Sequence, residues 1–576
     1  SGEGRAGEAM GAKTSCQCHG SDVVFAPFED CPQGPMTSCS TVQAGDDTSH
    51  GVEELADGSA YEGQFLGKDR HGWGKITWAC GDNYDGQFSH NEMHGQGTLH
   101  WGSGVTYAGQ WRQNQLGPSG SMRWPDGRQY RGFFFQGEKH GEGRLTWPDG
   151  RSFVGQWSSG KQHGYGFISE GKGQCHLSHW DGGKLVRWLT EAAVSDLPAL
   201  ERARVAVASG AVRLLSALWL LDQPDGHIIS RRQEMPQDAF MRTEDAESLL
   251  DKRYGIVVVS APWLSRQHPD PAGFHARTLI QYLGKHLDYF QGFEDVGVFW
   301  DFASLHQYGA DRPSGNVLES HLLIGQISIS APGRRQSYAS AASEPRSEDE
   351  HRVRGIALQS LGYLYGGKKS LVVKLTRLPE AGGPPYSSRG WCFAECTLAG
   401  LTKDADQLLD LGLAHRAVDA ANVSWEQFRD MAISGRPPPL LPEDITNILE
   451  KLSFTEGDDR AFVLKMYTSF FKEAAPNVSL LSLAHSRAEG GWGDTEVKLL
   501  CRALPSFTAC KALSLANHSN MGKASIKDLR ERLQHLPKLQ RLVLPHHLEE
   551  SKEGQALTKE WSAAGKDPER LVWLRK

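Results

Sequence analysis

A 23-residue period in the first third of the chain constrains the fold more than any other feature. An aromatic ring returns at the same position in five consecutive units: Tyr61, Tyr84, Tyr107, Tyr130 and Phe153. A glycine follows each ring two residues later and a second ring follows four residues later, as in Gly63 and Phe65. Residues 51–183 hold 29 of the 64 glycines of the chain. A period of this length predicts stacked copies of one small unit rather than a single globular core.

Each unit has the pattern of a β-hairpin. The segment Tyr-x-Gly-x-Phe alternates with period two, so one strand face carries ring, glycine and ring. A second alternating stretch, Gly74-x-Ile76-x-Trp78, follows in the same unit. Because a lone hairpin is marginally stable, neighbouring units must stack to bury their rings. The sequence therefore predicts an all-β hairpin solenoid over residues 51–183, with five copies and a partial sixth near Trp180.

The order Tyr-x-Gly, His-Gly-x-Gly and Asp-Gly resembles the MORN repeat over about residues 57–180, although the middle copy reads Leu116-Gly-Pro-Ser-Gly120. The resemblance implies a scaffold with protein partners, or attachment to a phospholipid or membrane surface. Residues 61–172 carry 12 Lys and Arg against 10 Asp and Glu, which does not favour an electrostatic lipid patch. Since histidines such as His71 recur once per unit, we interpret them as structural, and we expect neither a metal nor a cofactor.

The middle of the chain has an α/β pattern. Residues 184–250 are predicted to form a helical linker. Short apolar runs at Ile256–Ser260, 296–300 and 370–375 then alternate with helical spacing, which predicts a parallel sheet over residues 251–404. A polar insertion at about 325–350 is predicted to be a mobile loop. Sites in such sheets lie at the carboxyl ends of strands, where Ser260 and Asp301 fall.

Three short motifs in this α/β region resemble, in the same order, those of HET (heterokaryon-incompatibility) domains, which are relatives of Toll/interleukin-1 receptor (TIR) domains. They are Asp301-x-x-Ser304-Leu305-x-Gln307, Leu364-Tyr365 and Arg389-Gly-Trp391-x-x-x-Glu395. The sequence departs from the family pattern at Phe299, where the family has Trp, and at Ser304, where it has Cys. The resemblance implies a HET/TIR-like fold for residues 251–404, and association into an oligomer through it.

The resemblance also implies a site that cleaves NAD, which would then be a substrate and not a cofactor. Glu395 and Asp301 take the catalytic positions, since a carboxylate beside a ribose stabilises an oxocarbenium-like transition state. The substrate-binding candidates are Ser260, Ser304, Gln307, Arg389 and Trp391. The structural alternative stays open: Trp391 would anchor the core, Glu395 would pair with Arg389, and the domain would only bind or oligomerise.

The last third of the chain is predicted to be helical over residues 405–475 and α/β over residues 476–576. Three Leu-x-Leu segments begin at Leu481, Leu513 and Leu542, and they are 32 and 29 residues apart. This spacing resembles leucine-rich repeats of the ribonuclease-inhibitor type. Such a tail would bind a partner or cap the preceding domain, and a generic α/β tail remains the alternative.

Residues 1–50 are predicted to form a flexible segment. Within it, Met10-Gly-Ala-Lys-Thr-Ser15 matches the myristoylation pattern, with Gly11 as the acceptor and Cys16 and Cys18 as palmitoylation candidates. Two acyl chains would anchor the protein stably where one would not. This lipidation hypothesis holds only if translation starts at Met10.

Charge and composition exclude several classes of protein. The chain has 62 Lys and Arg against 69 Asp and Glu, a net charge of −7, which argues against a nucleic-acid partner. No run approaches the 18 uncharged apolar residues of a membrane-spanning helix. Ten scattered cysteines indicate a reducing, cytoplasmic setting. The sequence has neither a P-loop nor a protein-kinase signature.

Two functions follow from the sequence. We favour a scaffold or adaptor in the cytoplasm, in which the repeats position a HET/TIR-like module, at a membrane surface if lipidation occurs. The alternative is an NAD-cleaving hydrolase that uses Glu395 and in which the repeats only place the enzyme.

Overall fold

The computed structural model describes residues 42–43, 48–170, 175–265, 268–305, 348–380, 382, 385–420, 422–433, 435–454, 459–485 and 490–574. The chain divides into a first unit (residues 1–150 and 157–162) and a second unit (residues 151–156 and 163–576). The lipidation candidates Gly11, Cys16 and Cys18 and the site candidate Gln307 lie outside the described residues. The insertion predicted at 325–350 also lies outside them, except that residues 348–350 belong to a helix.

Antiparallel strands that pair in chain order make up the first unit. They are β1 (Val42–Gln43), β2 (Thr48–Glu54), β3 (Ala60–Leu66), β4 (Asp69–Thr77), β5 (Asn83–Ser89), β6 (Glu92–His100), β7 (Thr106–Arg112), β8 (Gln115–Arg123), β9 (Gln129–Phe135) and β10 (Glu138–Thr146). The fifth repeat, whose residues are divided between the two units, supplies β11 (Ser152–Ser158) and β12 (Lys161–Ser169). In the hairpins of the first four repeats the pairing sets glycine opposite glycine, as Gly63 opposite Gly74.

A ladder of edge-to-face rings forms the core of the first unit. Each tyrosine contacts the second ring of its own repeat and that of the next; Tyr84 lies 5.2 Å from both Phe88 and Trp111, measured between ring centroids. The same geometry continues from Tyr61 to Trp157 with separations of 5.1–5.3 Å. Edge-to-face pairs contribute about 0.5–1.5 kcal/mol each beyond burial. The predicted column of buried rings is confirmed, because the repeat tyrosines are fully buried.

Close approach, rather than turn geometry, explains the paired glycine columns. Gly86 and Gly97 face each other beneath the ring of Tyr84, whose Oη donates to the carbonyl oxygen of Gln87 at 2.9 Å. A Cβ on Gly97 would lie 2.2 Å from Tyr84 Oη, and one on Gly86 would lie 2.4 Å from the Cα of Gly97. Any side chain at these positions would therefore displace the ring from the backbone.

After the fifth repeat, the chain continues with a pair of strands that extends into the predicted helical linker. Residues 175–189 form the antiparallel strands β13 (Cys175–Asp181) and β14 (Lys184–Leu189). The expectation of helix from residue 184 is wrong by one strand, β14, because β-prone side chains extend to Leu189. Helices then follow: α1 (Glu191–Ser195), α2 (Ala199–Ala208), α3 (Ala217–Leu221) and α4 (Thr243–Leu249).

A five-stranded sheet follows, with the order β15-β17-β16-β18-β19. Its strands are β15 (Leu215–Ser216), β16 (Ile256–Ser260), β17 (Gly297–Phe299), β18 (Leu371–Lys374) and β19 (Leu408–Asp410). Its helices are α5 (Phe274–Tyr289), α6 (Asp301–Ser304), α7 (Glu348–Gly366) and α8 (Gly390–Thr402). Strands β16 to β19 are parallel, as predicted, and β15 is an antiparallel edge. β17 lies on one side of β16 and the later strand β18 lies on the other side. The direction in which strands are added to the sheet therefore reverses between β16 and β18.

Four more helices and a second parallel sheet complete the second unit. The helices are α9 (His415–Asp419), α10 (Trp425–Ala432), α11 (Pro442–Leu449) and α12 (Asp459–Ala474). The sheet runs in chain order through β20 (Leu480–Ser482), β21 (Ala512–Ser514), β22 (Arg541–Pro545) and β23 (Leu571–Leu574). The helices α13 (Asp494–Ala503), α14 (Lys523–Leu533) and α15 (Lys552–Ala563) alternate with these strands. Residues 405–475 are therefore not wholly helical as predicted, since β19 completes the preceding sheet.

Within the described part of the chain, no helix combines the length and the apolar character needed to cross a membrane.

Candidate functional site at the carboxyl edge of the parallel sheet

Two of the predicted site residues meet at the reversal point of the five-stranded sheet. Ser260 is the last residue of β16, and Glu395 lies in the second turn of α8. The Oγ of Ser260 donates a hydrogen bond to Oε2 of Glu395. Tyr386, just before α8, places its Oη 2.5 Å from the same Oγ and 3.1 Å from Sγ of Cys396. Hydrogen bonds thus link Cys396, Tyr386 and Ser260 to the carboxyl group of Glu395. We call these four residues the Glu395 cluster, together with Tyr365, which also forms a hydrogen bond to Glu395.

The carboxyl group of Glu395 is almost sealed from solvent, with the residue only 7% exposed. Burial raises the pKa of Glu395 to about 8, and the nearby charge of Asp301 raises it further, while hydrogen bonds from Ser260 and Tyr365 act in the opposite direction. The Oη of Tyr365 also lies 3.1 Å from the carbonyl oxygen of Val259, which is a second acceptor for its single proton. At neutral pH Glu395 is therefore mostly a neutral acid and not a carboxylate.

Asp301 influences Glu395 through its charge and lies at the same edge of the sheet. It lies two residues past the end of β17 and is the first residue of α6, where its Oδ1 accepts from the backbone N–H of Phe302 at 2.7 Å. Burial raises the pKa of Asp301, and the Phe302 N–H and the charge of Arg354 oppose that rise. The residue remains half-buried. Asp301 is thus a neighbour of Glu395 that disfavours a second negative charge there.

Ser304 has a structural position. Its Oγ accepts from the backbone N–H of Trp300 at 3.1 Å, and its carbonyl oxygen accepts from Nη1 of Arg232 at 3.1 Å. The side chain is fully buried. These contacts close the short helix α6 and do not include the Glu395 cluster.

Arg389 and Trp391 bond to residues outside the cluster. Nη2 of Arg389 donates to the carbonyl oxygen of Trp263 at 2.9 Å. The indole Nε1 of Trp391 donates to Oδ2 of Asp459 at 2.8 Å, and its ring lies 6.0 Å from that of Phe462. Both partners of Trp391 belong to α12, so the indole joins α8 to that helix.

The sequence analysis missed an ion pair at the same edge of the sheet. Lys374 ends β18 and Asp410 ends β19, and Nζ of Lys374 lies 3.4 Å from Oδ2 of Asp410. Asp410 also accepts a hydrogen bond from the hydroxyl of Thr376 at 2.5 Å. Both charged side chains are buried. Lys374 could have been found as a charge at the end of an apolar run, whereas Asp410 lies in a region that was interpreted as helix.

Across the part of the chain that the structure describes, no three His, Cys, Asp or Glu side chains are grouped in a way that could hold a metal ion. His71 of the first repeat and His90 of the second meet edge to face, with 5.5 Å between their ring centroids. Within the Glu395 cluster, burial raises the pKa of Tyr386, Glu395 and Cys396.

Five segments of the chain match the family model of the MORN repeat, at residues 61–82, 84–106, 107–127, 130–150 and 153–169. These hairpins are MORN repeats. Such repeats commonly bind proteins or membrane phospholipids, so they suggest a protein-binding or membrane-associated scaffold. The match covers the repeat region and leaves the α/β sheets without an assigned family.

Comparison with other proteins adds no second assignment. No curated protein matches this chain. Among solved structures, the chain is similar to the SAS-4 (dCPAP) TCP domain of Drosophila melanogaster, solved in complex with a proline-rich motif of Ana2 (dSTIL). The two are 10% identical over 28% of this chain and 98% of that chain, with a TM-score of 0.18. A likeness at that score supports no inference about fold or function.

Proposed function

We propose that this protein is a MORN-repeat scaffold that positions a HET/TIR-like module. The observation that carries the proposal is the unbroken ring ladder from Tyr61 to Trp157, because it makes the repeats a rigid, regular platform. A platform of this kind presents a broad surface to partners without supplying chemistry of its own.

The topology of the five-stranded sheet supports the HET/TIR-like assignment for the module. Its parallel strands lie in the order second, first, third and fourth along the chain, which is the flavodoxin-like order of doubly wound sheets. The four parallel strands β20 to β23 support the leucine-rich assignment of the tail, since Leu481, Leu513, Leu542 and Leu571 are aligned in neighbouring strands. Both assignments are part of the proposal.

The state of Glu395 favours a scaffold over an enzyme. A carboxylate that stabilises an oxocarbenium ion must be ionised and must face the substrate. Here Glu395 is buried, its pKa is raised to about 8, and its Oε2 accepts from Ser260. The polar groups of the Glu395 cluster therefore satisfy one another instead of facing an open site.

Exposed rings on the first unit are the best candidates for partner contact. Trp73 is 54% exposed on β4 and Phe135 is 57% exposed on β9. We expect the double variant Trp73→Ser, Phe135→Ser to lose at least half of the neighbours that proximity labelling of the full chain in cells assigns to the wild type, because exposed aromatic side chains anchor interfaces. Glu395→Gln is the matched control, and its set of neighbours should equal that of the wild type.

A second readout separates protein partners from lipid. With nearly balanced charge on the repeats, the full chain should sediment equally with phosphatidylcholine vesicles that contain or lack a phosphatidylinositol phosphate. Identical labelling of the wild type and the double variant would contradict the protein-scaffold proposal. Lipid-dependent sedimentation that the double variant abolishes would replace it with a membrane scaffold.

Two observations favour a second candidate function, an NAD-cleaving hydrolase. Ser260 and Glu395 meet at the reversal point of the sheet, where doubly wound sheets bind ligands. The raised pKa of Glu395 is also a property of many functional sites.

An NAD-consumption assay decides between the two functions. From the buried, neutral state of Glu395 we expect the full chain and Glu395→Gln to consume NAD at the same background rate. A decrease of about 100-fold or more in the variant, of the size that loss of a catalytic acid or base produces, would favour the hydrolase. In that case the wild-type rate should also rise as the pH approaches 8, because Glu395 ionises there.

A further inference from the structure

The antiparallel sheet ends at β14, in the second unit, and this edge is open to solvent. Among the described residues, β14 pairs with β13 on one side and with no strand on the other. Its first five residues, 184–188, are all exposed, so solvent reaches both faces of the strand. An edge strand of this kind presents N–H and C=O groups to which a further strand can be added.

The two cations of β14 share one face. In paired strands, residues directly opposite each other point to the same face, and this face alternates along each strand. Arg187 lies opposite His179, and Lys184 lies opposite Asp181, two positions further along β13. Oδ1 of Asp181 lies 3.4 Å from Nδ1 of His163, and neither cation of β14 forms an ion pair within the part of the chain that the structure describes. This face of the edge therefore carries two solvated positive charges.

The opposite face of β14 is apolar. Leu185 lies opposite Trp180 and is 39% exposed, and Trp188 lies opposite Ser178 and is 51% exposed. The indole of Trp188 meets the ring of His176 edge to face, with 5.7 Å between their centroids. Exposed apolar side chains that adjoin one another mark contact surfaces. The edge thus has one cationic face and one apolar face.

A second copy of the chain fits this edge poorly. If β14 paired antiparallel with its own copy in one continuous sheet, like faces would join, and the cations of both copies would repel one another. Val186 also interrupts regular pairing, because it is the extra residue of a β-bulge between Leu185 and Arg187. A short acidic segment avoids the repulsion, because its charge is complementary to that of Lys184 and Arg187.

We propose that β14 binds, as an added strand, an extended peptide in which acidic and apolar residues alternate. Backbone groups of the peptide form hydrogen bonds with the outer edge of β14. The acidic side chains of the peptide lie on the face of Lys184 and Arg187. Its apolar side chains lie on the face of Leu185 and Trp188. The inference goes beyond the scaffold proposal, because it uses none of the exposed rings of the first unit.

Fluorescence anisotropy of the full chain with labelled peptides tests the site. A peptide of about eight residues that alternates glutamate and valine should bind saturably. The double variant Lys184→Glu, Arg187→Glu should bind it at least about 10-fold more weakly and should gain binding of a peptide that alternates lysine and valine. Lys465→Glu, Lys559→Glu is the matched control, since it changes the net charge equally at exposed positions of α12 and α15. Its affinity for both peptides should equal that of the wild type.

Two further peptides, measured with the wild type, keep the test valid if the charge-reversed variant does not fold. One has the alternating acidic sequence with N-methylated backbone amides, which cannot donate to a strand. The other has the same composition with glutamates and valines in separate blocks, which cannot present one face of each kind. Both should bind at least about 10-fold more weakly than the alternating peptide.

Three results would overturn the proposal. The first is failure of the alternating acidic peptide to bind the wild type at millimolar concentration. The second is equal affinity for all the acidic peptides, since charge alone would then explain binding. The third is a dimer of the full chain in sedimentation equilibrium that Trp188→Ser abolishes, which would make a second copy the occupant of the edge.

Discussion

Replacing Tyr107 with alanine should lower the free energy of unfolding of the first unit by about 3–5 kcal/mol, the usual cost of deleting a buried aromatic side chain. Tyr107 is fully buried in the central repeat and lies 5.3 Å from the rings of both Trp111 and Phe134. Its Oη also donates to the carbonyl oxygen of Gln110 at 2.9 Å. Because repeats depend on their neighbours, the loss should spread to the adjoining hairpins. Urea unfolding, with hydrogen exchange measured strand by strand over β5 to β10, checks both the size and the spread.

Two control variants separate the ring from the hydroxyl group and from surface effects. Tyr107→Phe keeps the ring and loses one hydrogen bond, so it should cost about 1 kcal/mol. The fifth repeat already has Phe153 at this position, which shows that the site accepts a phenyl ring. Trp73→Ala removes an exposed ring and should change stability by no more than about 0.5 kcal/mol. If the alanine and phenylalanine variants of Tyr107 were equally stable, the ring ladder would not hold the repeats together.

The repeat region could be predicted from sequence because its long-range contacts are copies of a local pattern. Each tyrosine meets the second ring of its own repeat and that of the next, so a fixed offset in sequence is also a fixed offset in space. The glycine columns follow from the same rule, since Gly86 and Gly97 occupy equivalent positions in paired strands. The prediction was wrong at the end of the array, because one further strand, β14, follows the predicted end and extends to Leu189.

The candidate site could be predicted only in part because its contacts are not periodic. Glu395 was named from a motif and Ser260 from its place at the end of a predicted strand, but neither signal predicts that two residues 135 positions apart share a hydrogen bond. Trp391 and Glu395 are four residues apart on one helix, which suggests a common face. The indole nevertheless reaches Asp459 on α12. Helical spacing thus predicts a face of the helix, and the partner depends on which element packs beside it.

Short strands were the other source of error. Leu408–Asp410 contributes only three residues to the five-stranded sheet, and its neighbours along the chain have helical spacing. A segment of that length becomes a strand through pairing with β18 and not through its own propensity. Missing it also hid Asp410, and with it the buried ion pair to Lys374.

Stability of the wild type relative to Glu395→Gln should fall as the pH rises from about 5 to about 8. The raised pKa of Glu395 in the folded protein, about 8 against an ordinary 4.5, means that the folded state keeps a proton that the unfolded state releases. Unfolding is then favoured by up to about 1.4 kcal/mol per pH unit between the two pKa values, and the loss levels off above the folded pKa. Glutamine is neutral at every pH, so the difference between the two proteins isolates this one group. Between about pH 5 and about pH 8, the free energy of unfolding of the wild type should fall by about 3 kcal/mol relative to that of Glu395→Gln. Urea midpoints of the second unit measure this change.

The same difference bears directly on the choice between scaffold and hydrolase. If the stability difference changes with pH only between the two pKa values, Glu395 is neutral in the folded protein at neutral pH. A neutral carboxyl group cannot stabilise a positive oxocarbenium ion by charge. A difference that does not change with pH would mean that Glu395 ionises at its ordinary pKa although it is only 7% exposed. A buried carboxylate of that kind needs a compensating cation, whereas the charge that acts on Glu395 is that of the acidic Asp301. A flat result would therefore show that the cluster opens in solution, and it would restore the hydrolase as the stronger hypothesis.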